Sequence, residues 1–299
     1  MGSMSSSWLV VVASLLFATM GVCVKMASAH YSSGEIVMYR GLVGALMIFV
    51  MSRWRGESLR TSLPAQHFLR SLTGVTALCL WFYAIGFLPL ATAMTLNYTS
   101  SLWMALFLIG GAAVFGGARQ VDGRLVLAAV LGFTGVVLVL RPTIQQEQLW
   151  PGLVGLLSGM VSAAGYLQVT KLGRAGEPES RVVFYFSIGG VIGGAALACL
   201  TGWHGHNWTG IGLMLAVGVL ATVAQLMLTR AYARGRTMVN ASLQYLGIGF
   251  SYLYGVFLFR DEVTWIGALG MLLIVAAGVR ATMLRTRVGS WRDRARGRP

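Results

Sequence analysis

This 299-residue chain is short of charge: 11% of its residues are Asp, Glu, Lys or Arg, against about 25% in an ordinary soluble domain. With 56% hydrophobic residues, that shortage excludes both a soluble globular fold and a disordered chain. What is left is a polytopic membrane protein. Proline is scarce, 6 residues against 39 glycines, which rules out a collagen-like rod. Cysteine is confined to Cys23, Cys79 and Cys199. Each lies in an apolar run without metal-ligand spacing and reads as a small buried hydrophobe. Acidic residues are the rarest charges. Glu35, Glu57, Asp122, Glu147, Glu177, Glu179, Asp261, Glu262 and Asp293 all fall in loops or at the ends of apolar stretches, as do His30, His67, His204 and His206. A carboxylate-driven proton antiporter, or a pump for permanent cations, needs an anion held inside the membrane. An intramembrane hydrolase needs an acid–base pair or a metal cluster, and Ser158 has no intramembrane histidine to activate it. The sequence therefore predicts no catalytic residue, no metal ligand, no cofactor and no enzyme.

What is present is apolar length. Ten stretches near 20 residues recur, at Trp8–Ala29, Gly34–Ser52, Gln66–Leu88, Thr92–Phe115, Gly123–Leu140, Pro151–Leu172, Val182–Thr201, Thr209–Ala231, Met238–Leu258 and Thr264–Leu284. Each is long enough for a helix to cross a hydrocarbon core of about 30 Å. Met1–Ser3 reads as an expression scar ahead of a native Met4 and is left out of the fold reading. Ala27-Ser28-Ala29 mimics a signal-peptidase site, but the residues before the apolar run, Met4–Ser7, carry no Lys or Arg, so span 1 reads as retained.

The net charge of +14 sits in loops rather than on one face, which argues against nucleic acid. On one side lie Arg53, Arg55, Arg60 and Arg70; Arg119 and Arg124; Lys171, Arg174 and Arg181; Arg230, Arg234 and Arg236; and the arginines from Arg280 to Arg298. Arg141 and Arg260 alone lie on the other, and Lys25 and Arg40 read as the intramembrane cations. The positive-inside rule then predicts cytoplasmic N- and C-termini. The basic tail, residues 289–299, reads as a retention and lipid-headgroup signal.

The chain also repeats itself. Ala84, Thr95, Leu96, Asn97 and Tyr98 align with Ala231, Ser242, Leu243, Gln244 and Tyr245, and Lys25 aligns with Lys171. Gly135-Val136 follows with Gly278-Val279. The halves are residues 4–146 and 147–288, with five spans each. Because five is odd, the second half enters from the opposite face, which makes the halves inverted repeats. The predicted fold is an all-α membrane protein of ten transmembrane helices in two inverted five-helix repeats.

This layout, with Lys25 late in span 1, Arg40 early in span 2, the run Ala84-Ile85-Gly86-Phe87-Leu88-Pro89-Leu90-Ala91-Thr92-Ala93, and Asp261-Glu262-Val263-Thr264 before the last span, resembles the drug/metabolite transporter superfamily, and within it the EamA-type exporters. It also resembles the bacterial aromatic amino acid exporters of that branch. The resemblance implies a multi-pass protein of the bacterial inner membrane that exports small metabolites by alternating access around a central cavity. Its partners would be a small-molecule substrate and the bilayer. Two departures stand out. Where the family often carries proline in spans 4 and 9, this chain has Ser101 and Ile248, and the first half has Gly116-Gly117 near the place of Glu262.

Polar groups in apolar spans point to the pathway, because they are costly unless paired or wetted. Span 4 offers Thr95, Asn97, Tyr98, Thr99 and Ser100, followed by Trp103; span 9 offers Ser242, Gln244, Tyr245 and Tyr252. Amides and hydroxyls give uncharged hydrogen bonds to a zwitterion. The interior rings Trp81, Tyr83, Trp103, Tyr166, Tyr245 and Tyr252 suit an aromatic or large apolar side chain, and Gln168 and Gln225 are interior amides. Lys25 is a candidate partner for a substrate carboxylate, and Arg40 either attracts one or snorkels to the interface. The competing readings are helix–helix packing for the hydroxyls, another metabolite (a purine, a nucleotide sugar or a drug), or a membrane enzyme or scaffold.

Overall fold

A computed structural model describes residues 4–100, 102–104, 106–107, 123–140, 146–234, 244–262, 264–277 and 279–280. Over these residues the chain is helical, with no strand. The helices are α1 (Met4–Ala27), α2 (Ser33–Arg55), α3 (Pro64–Phe87), α4 (Leu90–Tyr98), α5 (Gly123–Leu140), α6 (Gln146–Arg174), α7 (Glu179–Thr201), α8 (Trp208–Arg234), α9 (Leu246–Tyr254) and α10 (Trp265–Ala277). Among the described residues, α1, α2, α3, α6, α7 and α8 are long and apolar enough to cross a membrane.

Local chemistry sets the boundaries. Ser32 and Glu35 form a capping box at the start of α2, and Gly56 ends that helix in the left-handed region. Leu88 precedes Pro89 and is extended, with φ −107° and ψ 159°; proline's ring disfavours the helical region for its predecessor. That is why α3 and α4 separate without a charge between them. Span 4 is not one helix. α4 stops at Tyr98, and the Thr99 hydroxyl donates back to the Leu96 carbonyl at 2.6 Å, two residues before Ser101. In the second half a turn at Tyr245, the counterpart of Tyr98, precedes α9.

The helices pack in a reciprocal pattern. α1 lies on α8 and α3 on α6; α2 lies on α8 and α3 on α7; α1 lies on α9 and α4 on α6. Exchanging α1–α5 for α6–α10 turns one member of each pair into the other, and α2 on α7 into itself. At that α2–α7 crossing the backbones touch. A Cβ on Gly41 would stand 2.6 Å from the Ser187 carbonyl oxygen, and one on Gly194 would stand 2.7 Å from that of Gly34. Bringing small residues together is how helices associate in lipid, where apolar surface gains nothing from burial against its neighbour. Gly194→Val is therefore expected to cost about 1–3 kcal/mol through overpacking. A lower melting temperature of the purified protein in detergent checks it, with Gly212→Val, in open space, as the neutral control.

The outward faces are apolar, with Leu42, Leu46, Phe49 and Val50 on α2 and Phe68, Leu69 and Leu72 on α3 all exposed. In water such a surface would aggregate; in a bilayer it is the lipid contact. Trp8, Trp54, Trp150, Trp203, Trp208 and Trp265 are exposed near helix ends, the placement of an interfacial belt.

One acidic group ties a loop to a helix start. In the α6–α7 turn, Glu177 accepts hydrogen bonds from Thr61 Oγ1 at 2.9 Å and Arg181 Nη1 at 3.0 Å. His67 Nε2 on α3 stands 3.3 Å from its carboxylate. Burial opposes ionisation of Glu177, but these contacts outweigh it and hold the carboxyl below its ordinary pKa of 4.5. A depressed folded pKa means stabilisation that is present above the unfolded value and lost as pH falls through the folded one. Melting curves from pH 7 downward are expected to show that loss on the acid side of 4.5, and Glu177→Gln is expected to remove it.

Candidate functional site

Where α1, α2, α3, α6, α7 and α8 meet the broken helices, a cavity of about 90 Å³ remains. Its wall takes Phe17 and Met20 from α1, Arg40 from α2, Arg70, Ala77 and Trp81 from α3, Asn97 and Tyr98 from α4, Ser162 and Tyr166 from α6, Phe186 from α7, Gln225 from α8 and Gln244 beside α9. Both halves thus contribute. The break at Thr99 leaves Asn97 as the penultimate residue of α4, where its Nδ2 donates to Ser158 Oγ at 3.1 Å and Ser162 Oγ at 3.2 Å. Gly159 makes that approach possible, since a Cβ there would stand 2.6 Å from the Leu96 carbonyl oxygen. Tyr166 hydrogen-bonds Gln244, and the rings of Tyr98 and Tyr245 lie 6.2 Å apart.

Two guanidinium groups face this space. Arg40 is 5% and Arg70 7% exposed. Their central carbons stand 5.0 and 4.2 Å from the centre of the same Phe186 ring. Arg70 is folded back over Gly74, where a Cβ would run into its Nη1.

Outside the cavity, a second polar cluster joins the halves. Lys25 Nζ at the end of α1 donates to Asp261 Oδ1 at 3.1 Å and to the Leu88 carbonyl at 3.1 Å. The Leu90 N–H donates to Asp261 Oδ2 at 2.9 Å. Asp261 reaches this place because α9 widens into a π-turn, Gly255–Phe259, closed by Arg260 in the left-handed region (φ 54°). The Asp261 N–H then donates to the Gly255 carbonyl at 3.0 Å. Such π-turns are rare and recur at functional sites.

A relative that matches nearly end to end decides the family. The pseudopaline exporter CntI of Pseudomonas aeruginosa strain PAO1 is 30% identical over 294 residues, covering 94% of this chain and 96% of that protein. The chain belongs to the EamA-like transporter family. That family's model matches residues 4–141. A riboflavin transporter of Rhizobium johnstonii is 26% identical over 275 residues, covering 91% of this chain and 88% of its own. An S-adenosylmethionine uptake transporter of Rickettsia bellii is 21% identical over 254 residues, covering 85% and 84%. A crystal structure shares the fold, with a TM-score of 0.65 at 19% identity, over 96% of this chain and 99% of that one. The protein is thus a multi-pass membrane protein of a family of small-metabolite transporters.

Within the EamA-like fold, the candidate residues divide. Asn97, Tyr98, Tyr166, Gln225 and Gln244 line the cavity. The others are absent from its described wall. Thr95 donates to the Ala91 carbonyl and Thr99 to that of Leu96. Ser100 is buried. Trp103 packs edge-on against Phe133, Tyr83 packs against Phe87, and Tyr245 packs behind Tyr98. Tyr252 is exposed and Gln168 is half-buried on α6. Ser242 lies outside the described residues. Lys25 is occupied by Asp261.

Arg70 corrects the sequence reading. It is not a loop charge but a buried residue two turns into α3. The missing side chain at Gly74, one turn further on, opens the space its guanidinium fills. The pairing Arg70-x-x-x-Gly74 was the signal in the sequence. Trp81, one of the interior rings the sequence offers, is on the wall; so is Phe186, and nothing in the neighbours of Phe186 separates it from an ordinary core aromatic.

Proposed function

We propose that this protein exports small carboxylate-bearing metabolites across the bacterial inner membrane by alternating access, amino acids with aromatic or large apolar side chains among them. The observation that carries the reading is the cavity itself. It lies between the halves and joins a wall of rings (Phe17, Trp81, Tyr98, Tyr166, Phe186) to amides at repeat-related positions, Asn97 and Gln244. The reciprocal packing of the helices supports two inverted repeats of residues 4–146 and 147–288. On that topology the Lys25–Asp261 cluster seals the extracytoplasmic end. The cavity of about 90 Å³ is well below the roughly 300–1,000 Å³ of a small-molecule site, so a substrate enters when the halves part.

The test is flux. In sealed proteoliposomes, a panel of labelled amino acids is expected to show saturable movement above that of empty vesicles, assayed with and without a pH gradient. Flux equal to empty vesicles across the panel would sink the reading. That the named relatives move different molecules, in one case inward, makes the panel and its direction part of the measurement.

A further inference from the structure

We infer that Arg40 and Arg70 form a binding site for an oxyanion, a carboxylate or a phosphate, so that the transported molecule is a ring-bearing compound with net negative charge. This rests on the transport reading and narrows its substrate class.

The argument begins with an excess of donors. Neither guanidinium makes an ion pair or a hydrogen bond among the described residues, and the Nε of each is buried without an acceptor. Trp81, on the same wall, has its indole N–H buried without an acceptor as well. Four of the described carboxylates are occupied elsewhere, and Glu179 and Glu262 make no ion pair with either arginine. Glu35 accepts from Ser32 and His204, Glu57 from Ser180, Glu177 from Thr61 and Arg181, and Asp261 from Lys25 and Leu90. Two like charges therefore share one Phe186 ring inside a low-dielectric protein. Holding one unpaired charge there is costly, and a second nearby adds repulsion. Phe186 offsets part of that through its ring face, but a ring supplies no hydrogen-bond acceptor. An arginine fork matches the two oxygens of a carboxylate or a phosphate. An anion of this kind in the cavity would neutralise both charges and accept from the orphaned donors. The surrounding rings would take the apolar body of the molecule. Lys25 does not compete for it, being held by Asp261 at 3.1 Å.

The experiment holds the ring constant and varies the charge. Binding of phenylalanine, phenylsuccinate, phenyl phosphate and phenethylamine to the full chain in detergent is measured by the shift in melting temperature. Phenylsuccinate or phenyl phosphate is expected to bind at least tenfold more tightly than phenylalanine, and phenethylamine is expected not to bind. Which of the two acids wins distinguishes a carboxylate from a phosphate substrate. Arg40→Gln and Arg70→Gln are each expected to lose at least tenfold in affinity for the acid, and the Lys variants to keep part of it. Without ligand, both Gln variants are expected to melt at or above the wild-type temperature, because an unpaired buried charge has been removed. A lower melting temperature would mean that the charges are paired and would overturn the site. Equal binding of phenylalanine and the acids, or Gln variants that bind the acids like wild type, would also overturn it. In that case flux of zwitterions would leave the transport reading standing. Tight acid binding with no flux of any solute would do the reverse.

Discussion

Asp261→Asn is expected to cut flux at least tenfold while leaving the protein folded. The carboxylate holds two elements at once, Lys25 on α1 and the Leu90 N–H at the start of α4, while the backbone N–H of Asp261 closes its own turn after α9. An amide still accepts from Leu90 but leaves the ammonium without a counter-charge. Lys25 and Asp261 are 17% and 12% exposed, between the exposed pairs worth under about 1 kcal/mol and the buried ones whose breaking costs about 3–5 kcal/mol. A loss of about 1–3 kcal/mol follows, and on the proposed alternating-access cycle it falls on the state in which this end is closed. That tilts the equilibrium between the two openings by roughly 5- to 150-fold, and a cycle that must visit both slows accordingly. Lys25→Met is expected to act the same way. Lys25→Met/Asp261→Asn, which leaves neither charge alone, should lose less than the two single effects added. Additive losses in flux and melting temperature would show that the two residues do not act as a pair.

The second large effect comes from filling the cavity. Ala77 is buried on its wall, and Phe at that position would occupy the space a substrate needs. Ala77→Phe is expected to reduce flux to that of empty vesicles, with a stability change of no more than about 1–3 kcal/mol, the usual cost of overpacking. The same enlargement on the lipid face, Leu46→Phe, is expected to transport like wild type, since Leu46 is exposed there. A plugged variant that still moves substrate would place the route somewhere other than between Ala77, Tyr166 and Phe186.

Much of this architecture is legible in the sequence because the bilayer imposes it: helix length, apolar faces and tryptophans at helix ends follow from hydropathy alone. The amides are legible too. Asn97 and Gln244 are conspicuous in apolar runs and occupy matching positions, and both reach the cavity wall. The arginines and the lysine are where reading in one dimension fails. Arg70 looks like a loop charge because it closely follows Arg53, Arg55 and Arg60 in a polar stretch, and only its place on the helix, over Gly74, turns it inward. Lys25 looks like a cavity cation because its partner lies 236 residues away, reached through a π-turn and a left-handed arginine that no local pattern announces. The hydroxyls of Thr95 and Thr99 were candidates for substrate but satisfy their own helix, the usual fate of threonine in an apolar helix.

Access to the cavity from each side tests the central claim most directly. Ser162 lines it and accepts from Asn97. In a chain with Cys23, Cys79 and Cys199 replaced by alanine, Ser162→Cys is exposed to a membrane-impermeant maleimide from one face at a time, in right-side-out and inside-out vesicles. The account predicts labelling from both faces, slowed from both by a transported substrate. Labelling from neither face, or from one face alone whatever substrate is present, would contradict it.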